Sequence, residues 1–184
     1  MQKLKGLTFV LLAGLMIFTA SSAFSQARRY RVGYKDSGFS FIGEVAALLP
    51  SNTYPTSINF NAIGGVMVNS HLFAGAGVAL DAYSSDIYVP VFADIRYYFL
   101  EGIFTPFAML DAGYGIPVDA NPNLGAGIMV NPAFGLKFFV SRTIAFNGSL
   151  GYRYQAMPLT LPDGQGSNPN FNIQSFSLRV GLQF

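Results

Sequence analysis

The stretch FSLRVGLQF, residues 176–184, alternates without a break between apolar residues and residues that are polar, charged or small. Successive side chains of a β-strand point to opposite faces, so this period of two predicts a strand with one apolar face and one polar face. The apolar face holds Phe176, Leu178, Val180, Leu182 and Phe184, and the other face holds Ser177, Arg179, Gly181 and Gln183.

Seven further segments show the same alternation and are separated by turn-forming residues, which predicts eight strands in all. We expect every apolar face to be free of charges and amides. The polar faces gather the ionisable residues, with four carboxylates and four cations: Glu44, Asp81, Asp94 and Asp111 with Arg96, Lys137, Arg153 and Arg179. The predicted strands span residues 38–49, 57–69, 72–83, 88–100, 104–116, 127–141, 143–154 and 173–184.

Alternation alone does not distinguish a membrane barrel from a soluble sandwich or a lipocalin-like barrel. The polar face of a soluble barrel is turned to water and is normally rich in Lys, Glu and Thr. Here the polar faces combine a few charges with Gly, Ala, Ser and Asn, which fit a narrow lumen, and the bulky face is apolar. This sorting predicts a closed barrel whose apolar face meets lipid.

The predicted connections alternate between short and longer segments. Turns 70–71, 101–102 and 141–142 are short, whereas connections 50–56, 84–87, 117–126 and 156–172 are longer on average. Outer-membrane barrels have short periplasmic turns and longer outer loops, so the pattern predicts a periplasmic amino terminus. Aromatic girdles are then expected at both rims, with Tyr97, Phe99 and Phe138 at the periplasmic rim and Tyr152 and Tyr154 at the outer rim.

Residues 1–27 are typical of a secretion signal: Lys3 and Lys5 precede the apolar run 7–20, and small residues predict cleavage near 25–27. The apolar run is shorter than the roughly 20 residues that a spanning helix needs. Residues 28–184 would form the barrel domain. The basic segment 28–35 is expected to contact lipid phosphates at the periplasmic surface, or to extend the first strand.

A signal, eight strands and the ending FSLRVGLQF together resemble the small outer-membrane barrels of the OmpA, OmpX and OmpW kind, and the single-domain barrels of Bacteroidetes-like bacteria. The resemblance implies an all-β fold, an eight-stranded antiparallel up-and-down transmembrane barrel in the outer membrane. It also implies that Phe184 is the aromatic residue read by the barrel-assembly machinery. A carboxy-terminal peptidoglycan-binding domain is not expected.

Composition argues against several functional classes. Of 11 Lys and Arg and 9 Asp and Glu, Lys3 and Lys5 lie in the signal, so the expected mature chain is neutral and unsuited to nucleic acid. The chain has no cysteine and one histidine, His71, which is predicted to lie on a periplasmic turn with a turn or capping role. We therefore expect no catalytic residues, no metal site, no cofactor and no enzymatic activity. A monomer is expected.

Two interpretations of the lumen charges remain open: a structural plug of salt bridges, or an ion or proton pathway. The leading functional hypothesis is a structural or interaction protein whose loop 157–172 contacts an extracellular ligand or acts as a solvated connector. The alternative is passage of small hydrophobic solutes through the barrel wall, as in OmpW-like proteins, and the third is a lipid-modifying enzyme. Solute passage predicts a continuous apolar cavity in the upper lumen, lined by Ile42, Ile63, Met67, Phe92, Phe107 and Met109.

Overall fold

A computed structural model describes residues 37–51, 55–83, 87–119, 125–141, 143–160, 167–168 and 172–184. The predicted signal and the basic segment 28–35 lie outside the described residues. No helix in the described part of the chain is long and apolar enough to cross a membrane. The strands are β1 Gly38–Pro50, β2 Ser57–Met67, β3 Leu72–Ala82, β4 Ile87–Tyr98, β5 Phe104–Asp119, β6 Gly127–Phe139, β7 Ala145–Ala156, β8 Leu159–Thr160, β9 Ser167–Asn168 and β10 Asn172–Gln183.

Eight of these strands form a closed antiparallel barrel in the order β1-β10-β7-β6-β5-β4-β3-β2. The sheet closes because β1 pairs with β2 on one side and with β10 on the other, so that Val45 lies opposite both Phe60 and Val180. The eight predicted strands and the barrel are confirmed. The remaining strands, β8 and β9, form a separate two-stranded sheet between β7 and β10, within the segment 157–172 that was predicted to be a loop.

The two faces of the barrel wall differ as the alternation predicts. On β10, Phe176, Leu178 and Val180 are about half exposed on the outside (52%, 53% and 49%), while Ser177 and Arg179 are buried in the lumen (0% and 2%). The outward face is not free of amides, however. Gln174 has the same parity as Phe176 and accepts a hydrogen bond from the exposed Tyr152 hydroxyl at 2.6 Å, so the expectation of an amide-free outer face was wrong at this position.

Prolines inside the strands do not end the strands, although one of them interrupts the hydrogen-bonded ladder. Between β6 and β7 the pairing stops after Val130 and resumes at Ala133, which skips Asn131 and Pro132. Proline has no N–H to donate, so a break in the ladder at this point is expected. Pro106 stays within the β5–β6 register opposite Leu136, and a register shift in the β4–β5 ladder falls at Ile87 and Tyr88.

Candidate functional site: the barrel lumen

A central ionic cluster lies in the middle of the lumen and joins five of the predicted residues. The Arg96 guanidinium donates to Glu44 Oε1 at 2.7 Å and to Asp94 Oδ2 at 2.8 Å. Arg179 Nη1 lies 2.7 Å from Asp111 Oδ2 and 3.4 Å from Glu44 Oε2. Glu44 therefore bridges the two arginines, and β1, β4, β5 and β10 meet across the interior.

A second ionic cluster lies toward the long-loop end of the lumen. Arg153 on β7 donates two hydrogen bonds to the Asp81 carboxylate on β3, which makes the pair bidentate. Asn59 Nδ2 also donates to Asp81, and Arg153 Nη2 donates to Gln155 Oε1 at 2.7 Å. The pair is thus held by amides from both sides.

Neutral polar side chains complete these clusters and were absent from the predicted site. Asn131 Nδ2 donates to Asp111 Oδ2 at 3.2 Å, and Ser177 Oγ donates to Asn131 Oδ1 at 2.9 Å. Asn131 thus adds a second donor to the Asp111 oxygen that Arg179 contacts, while Asp111 Oδ1 has no hydrogen-bond partner among the described residues. The alternation of faces could have predicted them, because Asn59, Asn131 and Ser177 each lie on the polar face of their strand.

Lys137 differs from the other three cations. The structure brings Arg96, Arg153 and Arg179 to carboxylates, but among the described residues Lys137 forms no ion pair. Its Nζ lies 4.0 Å from the centre of the Tyr98 ring and 4.8 Å from that of Phe139. The eight charges predicted to share the lumen are all buried, yet only seven are joined by salt bridges.

The apolar residues proposed to line a transport cavity are packed together. All six belong to one buried cluster, with exposed fractions of 0–4%. They lie mainly in the short-turn half rather than in the upper half: Met67 ends β2, and Phe107 follows the β4–β5 turn. Almost none of their surface is accessible to water, so the described lumen is filled at this level. A smaller apolar cluster of Tyr83, Tyr88, Met157 and Ile173 lies at the long-loop end.

His71 lies on the short turn between β2 and β3, as predicted. Its backbone N–H and that of Leu72 donate to Asn69 Oδ1 at 2.8 Å each, which shapes the turn. Ser70 Oγ and Glu101 Oε1 approach the same ring nitrogen, Nδ1, at 3.0 and 3.7 Å. A nucleophile–base–acid relay needs the hydroxyl and the carboxylate on different ring nitrogens, so this arrangement does not form one.

The predicted rim aromatics lie on the outer wall near the strand ends. Tyr97 and Phe99 stack edge to face at 5.4 Å beside the short turns, and Phe138 lies 5.4 Å from Phe104 at the same end. Tyr152 and Tyr154 are exposed on β7 toward the long loops. Phe184 is half exposed where β10 meets β1, and its backbone N–H and carbonyl pair with Phe41.

The described residues contain no group of three or more His, Cys, Asp or Glu side chains that could hold a metal ion.

Comparison with known proteins finds solved structures of similar fold but no match by sequence. No protein-family model matches the sequence, and no curated protein is similar to it. Neisserial surface protein A (NspA) is 15% identical with a TM-score of 0.61, covering 81% of this chain and 98% of that one. The amino-terminal barrel domain of Pseudomonas aeruginosa OprF is 14% identical with a TM-score of 0.51, covering 79% and 97%. OprG from the same organism is 13% identical with a TM-score of 0.49, covering 83% and 97%. The chain therefore has the fold of the small eight-stranded outer-membrane β-barrels.

Proposed function

We propose that this chain is an integral outer-membrane protein with a structural or interaction role, whose loops face outward and whose lumen is closed. The barrel spans the bilayer by its apolar outer wall, and its amino terminus lies on the periplasmic side with the short turns. Residues 1–27 act as a signal cleaved near 25–27, and residues 28–184 form the mature domain. The length difference between the two sets of connections supports this orientation.

The observation that carries the proposal is the filled, ion-paired lumen beneath an apolar exterior. Arg96, Asp94, Asp81 and Asp111 each have no exposed surface, and their charges are joined by salt bridges. Unpaired charge at membrane depth is strongly unfavourable, whereas paired and hydrogen-bonded charge is tolerated. A lumen built in this way stabilises one closed conformation and leaves the outer surface as the functional part of the molecule.

The contacts proposed for this surface follow from the rim residues. Tyr97, Phe99, Phe138, Tyr152 and Tyr154 anchor the barrel among outer-membrane lipids. Phe184 serves as the signal for the barrel-assembly machinery, and segment 157–172 contacts an extracellular ligand. We propose a monomer without a cofactor and without catalytic activity. The packing of Ile42, Ile63 and their neighbours favours this role over solute passage, because the cavity that passage requires is occupied by side chains.

Planar-bilayer recording tests the proposed closed lumen. The purified protein, inserted in bilayers in which a general porin gives normal conductance steps, is expected to give none. The porin in the same membranes shows that insertion and recording work. Reproducible unitary currents from the native protein, abolished by heat denaturation before insertion, would overturn the closed-lumen proposal and favour an ion pathway.

A further inference from the structure

Lys137 is a buried cation whose charge has no counterion among the described residues. Its side chain is 5% exposed on the lumen face of β6, and its Nζ contacts the rings of Tyr98 and Phe139. The charged side chain that acts on it is Arg96, which carries the same sign. The carboxylates near Arg96 are already engaged by Arg96 and Arg179. An aromatic face stabilises an ammonium only in part.

The cross-strand neighbour of Lys137 is an asparagine whose side chain also has no partner. Asn147 on β7 lies directly opposite Lys137 in the β6–β7 ladder. It is 2% exposed, and neither Nδ2 nor Oδ1 has a hydrogen-bond partner in the described structure. Directly opposed residues on one face have Cβ atoms about 4.5–5.5 Å apart, so the side chains of Lys137 and Asn147 start next to each other on the lumen wall. Buried polar groups without partners are uncommon in native proteins, and a bound ion is one of the explanations for such a group.

Other polar side chains at this level of the lumen do have partners. Tyr98 Oη donates to Gln183 Oε1 at 3.2 Å, and Gln183 Nε2 donates to Ser40 Oγ at 3.0 Å. Thr105, the partner of Lys137 on β5, donates to the Gly102 carbonyl at 3.1 Å. Among the described residues, the unused hydrogen-bonding capacity at this end of the lumen is therefore concentrated on Lys137 and Asn147. Each lies two residues from the end of its strand, on the side from which an ion would enter from water.

We propose that Lys137 and Asn147 form a binding site for a small monovalent inorganic anion, of halide size, at the short-turn end of the lumen. The ammonium and the Nδ2–H₂ group supply donors to the anion, and Asn147 Oδ1 accepts from the ammonium. A water molecule would satisfy the hydrogen bonds but would leave the charge uncompensated. The site lies outside the two ionic clusters and does not depend on the direction in which the barrel spans the membrane.

Thermal unfolding of the detergent-folded protein tests the site in solution. Chloride is titrated against gluconate at constant ionic strength, with gluconate as an anion too large for the site. We expect the wild-type Tm to rise by about 2–4 °C over the titration, in proportion to the logarithm of the chloride concentration once the site fills, because a ligand that binds the folded state stabilises it. Lys137→Met and Asn147→Leu are expected to lose the chloride dependence. Asn61→Leu, which removes another buried asparagine elsewhere in the lumen, is expected to keep it. No rise in the wild type, or an equal rise in Lys137→Met, would overturn the proposal.

A crystal of the wild-type protein grown in bromide tests the same site without a variant. We expect an anomalous bromide peak within about 3.5 Å of Lys137 Nζ and of Asn147 Nδ2, which is hydrogen-bond reach. Bromide at the protein surface with none beside Lys137 would contradict the site, even if the substituted proteins fail to fold.

Discussion

Arg96 is the side chain that joins most of the central ionic cluster. It is fully buried, donates from Nε and Nη2 to Asp94 and from Nη1 to Glu44, and stacks near the Phe107 ring. Arginine suits this position because its planar fork serves two carboxylates at once. Removing it would leave two carboxylates without their main partner in a dry interior.

We therefore expect Arg96→Met to destabilise the folded barrel by about 3–5 kcal/mol, since breaking a buried ion pair leaves uncompensated charge. Urea unfolding in lipid vesicles measures the change. Arg96→Met combined with Asp94→Asn should recover part of the loss, because one stranded carboxylate is then neutral. A single variant as stable as the wild type would show that the cluster does not stabilise the fold.

A similar test applies to the second ionic cluster, whose Asp81 and Arg153 can be substituted singly or together. Asp81→Asn should destabilise the barrel by about 3–5 kcal/mol because it strands Arg153, and Asp81→Asn with Arg153→Met should be milder. Exposed Glu101→Gln, on the β4–β5 turn near His71, serves as the control and should change stability by about 1 kcal/mol or less. Equal effects of Asp81→Asn and Glu101→Gln on urea unfolding would argue against a buried pair.

At the residue level, the sequence predicts which side chains share the lumen but not which ones pair. Parity along each strand places Glu44, Arg96 and Lys137 inside. Pairing depends on height along the barrel, which is set by the register between strands far apart in sequence. For this reason the exclusion of Lys137 from the salt bridges could not be predicted, although its burial could.

Between β4 and β5, the glycine at position 113 leaves no room for a side chain. A Cβ built on Gly113 would lie 2.1 Å from the Val91 carbonyl oxygen and 2.5 Å from Phe92 Cα, both backbone atoms. Backbone cannot move aside cheaply, so the ladder requires glycine at this position. Gly148, in β7, has no atom within 4 Å of the corresponding point.

Gly113→Ala is accordingly expected to destabilise the barrel by about 1–3 kcal/mol through overpacking. Gly148→Ala, the matched substitution in another strand, should be neutral or stabilising by up to about 1 kcal/mol. Thermal unfolding monitored by circular dichroism compares the two. If the two variants unfold at the same temperature, the inference that β4 leaves no room for a side chain at position 113 is wrong.

Strand boundaries follow the hydrophobic pattern except where local chemistry intervenes. The periodicity predicts a strand over residues 127–141, and the structure has β6 at Gly127–Phe139. The strand runs through Pro132, because the alternation continues there even though pairing with β7 stops. At the start of β10 the amide of Gln174 faces outward, since Tyr152 supplies it with a partner on the neighbouring strand. A pattern read one strand at a time does not show such a cross-strand bond.

For the molecule as a whole, the proposed bilayer predicts an effect of depth on the outer wall. Val180, paired with Val45 near the middle of the barrel, and Val118, near the long-loop end of β5, are both exposed on the outside. Val180→Arg should cost about 2–4 kcal/mol of unfolding free energy in vesicles, and Val118→Arg about 0–1 kcal/mol. Equal costs would contradict the proposed position of the hydrocarbon layer.

Closure of the whole barrel was predictable because the sorting of residue types places the apolar faces against lipid, where a sheet can satisfy both of its edges only by closing on itself. The distribution of chemistry inside was not. The six apolar residues offered as a transport lining lie in a packed cluster, since facing side chains from all around the barrel fill the space that each strand alone leaves open. Packing between distant strands is a property of the assembled cylinder.

The most direct test of the lipid-facing wall uses the absence of cysteine from the chain. Single cysteines at 175, 176, 177, 178, 180 and 182 on β10 carry a nitroxide, and collisions with oxygen and with a water-soluble nickel chelate are measured in vesicles. We expect high oxygen and low nickel accessibility at 176, 178, 180 and 182, with little access for either reagent at the buried Ser175 and Ser177 positions. Nickel collisions at the outward positions as frequent as those of a free peptide would show that this wall does not face lipid.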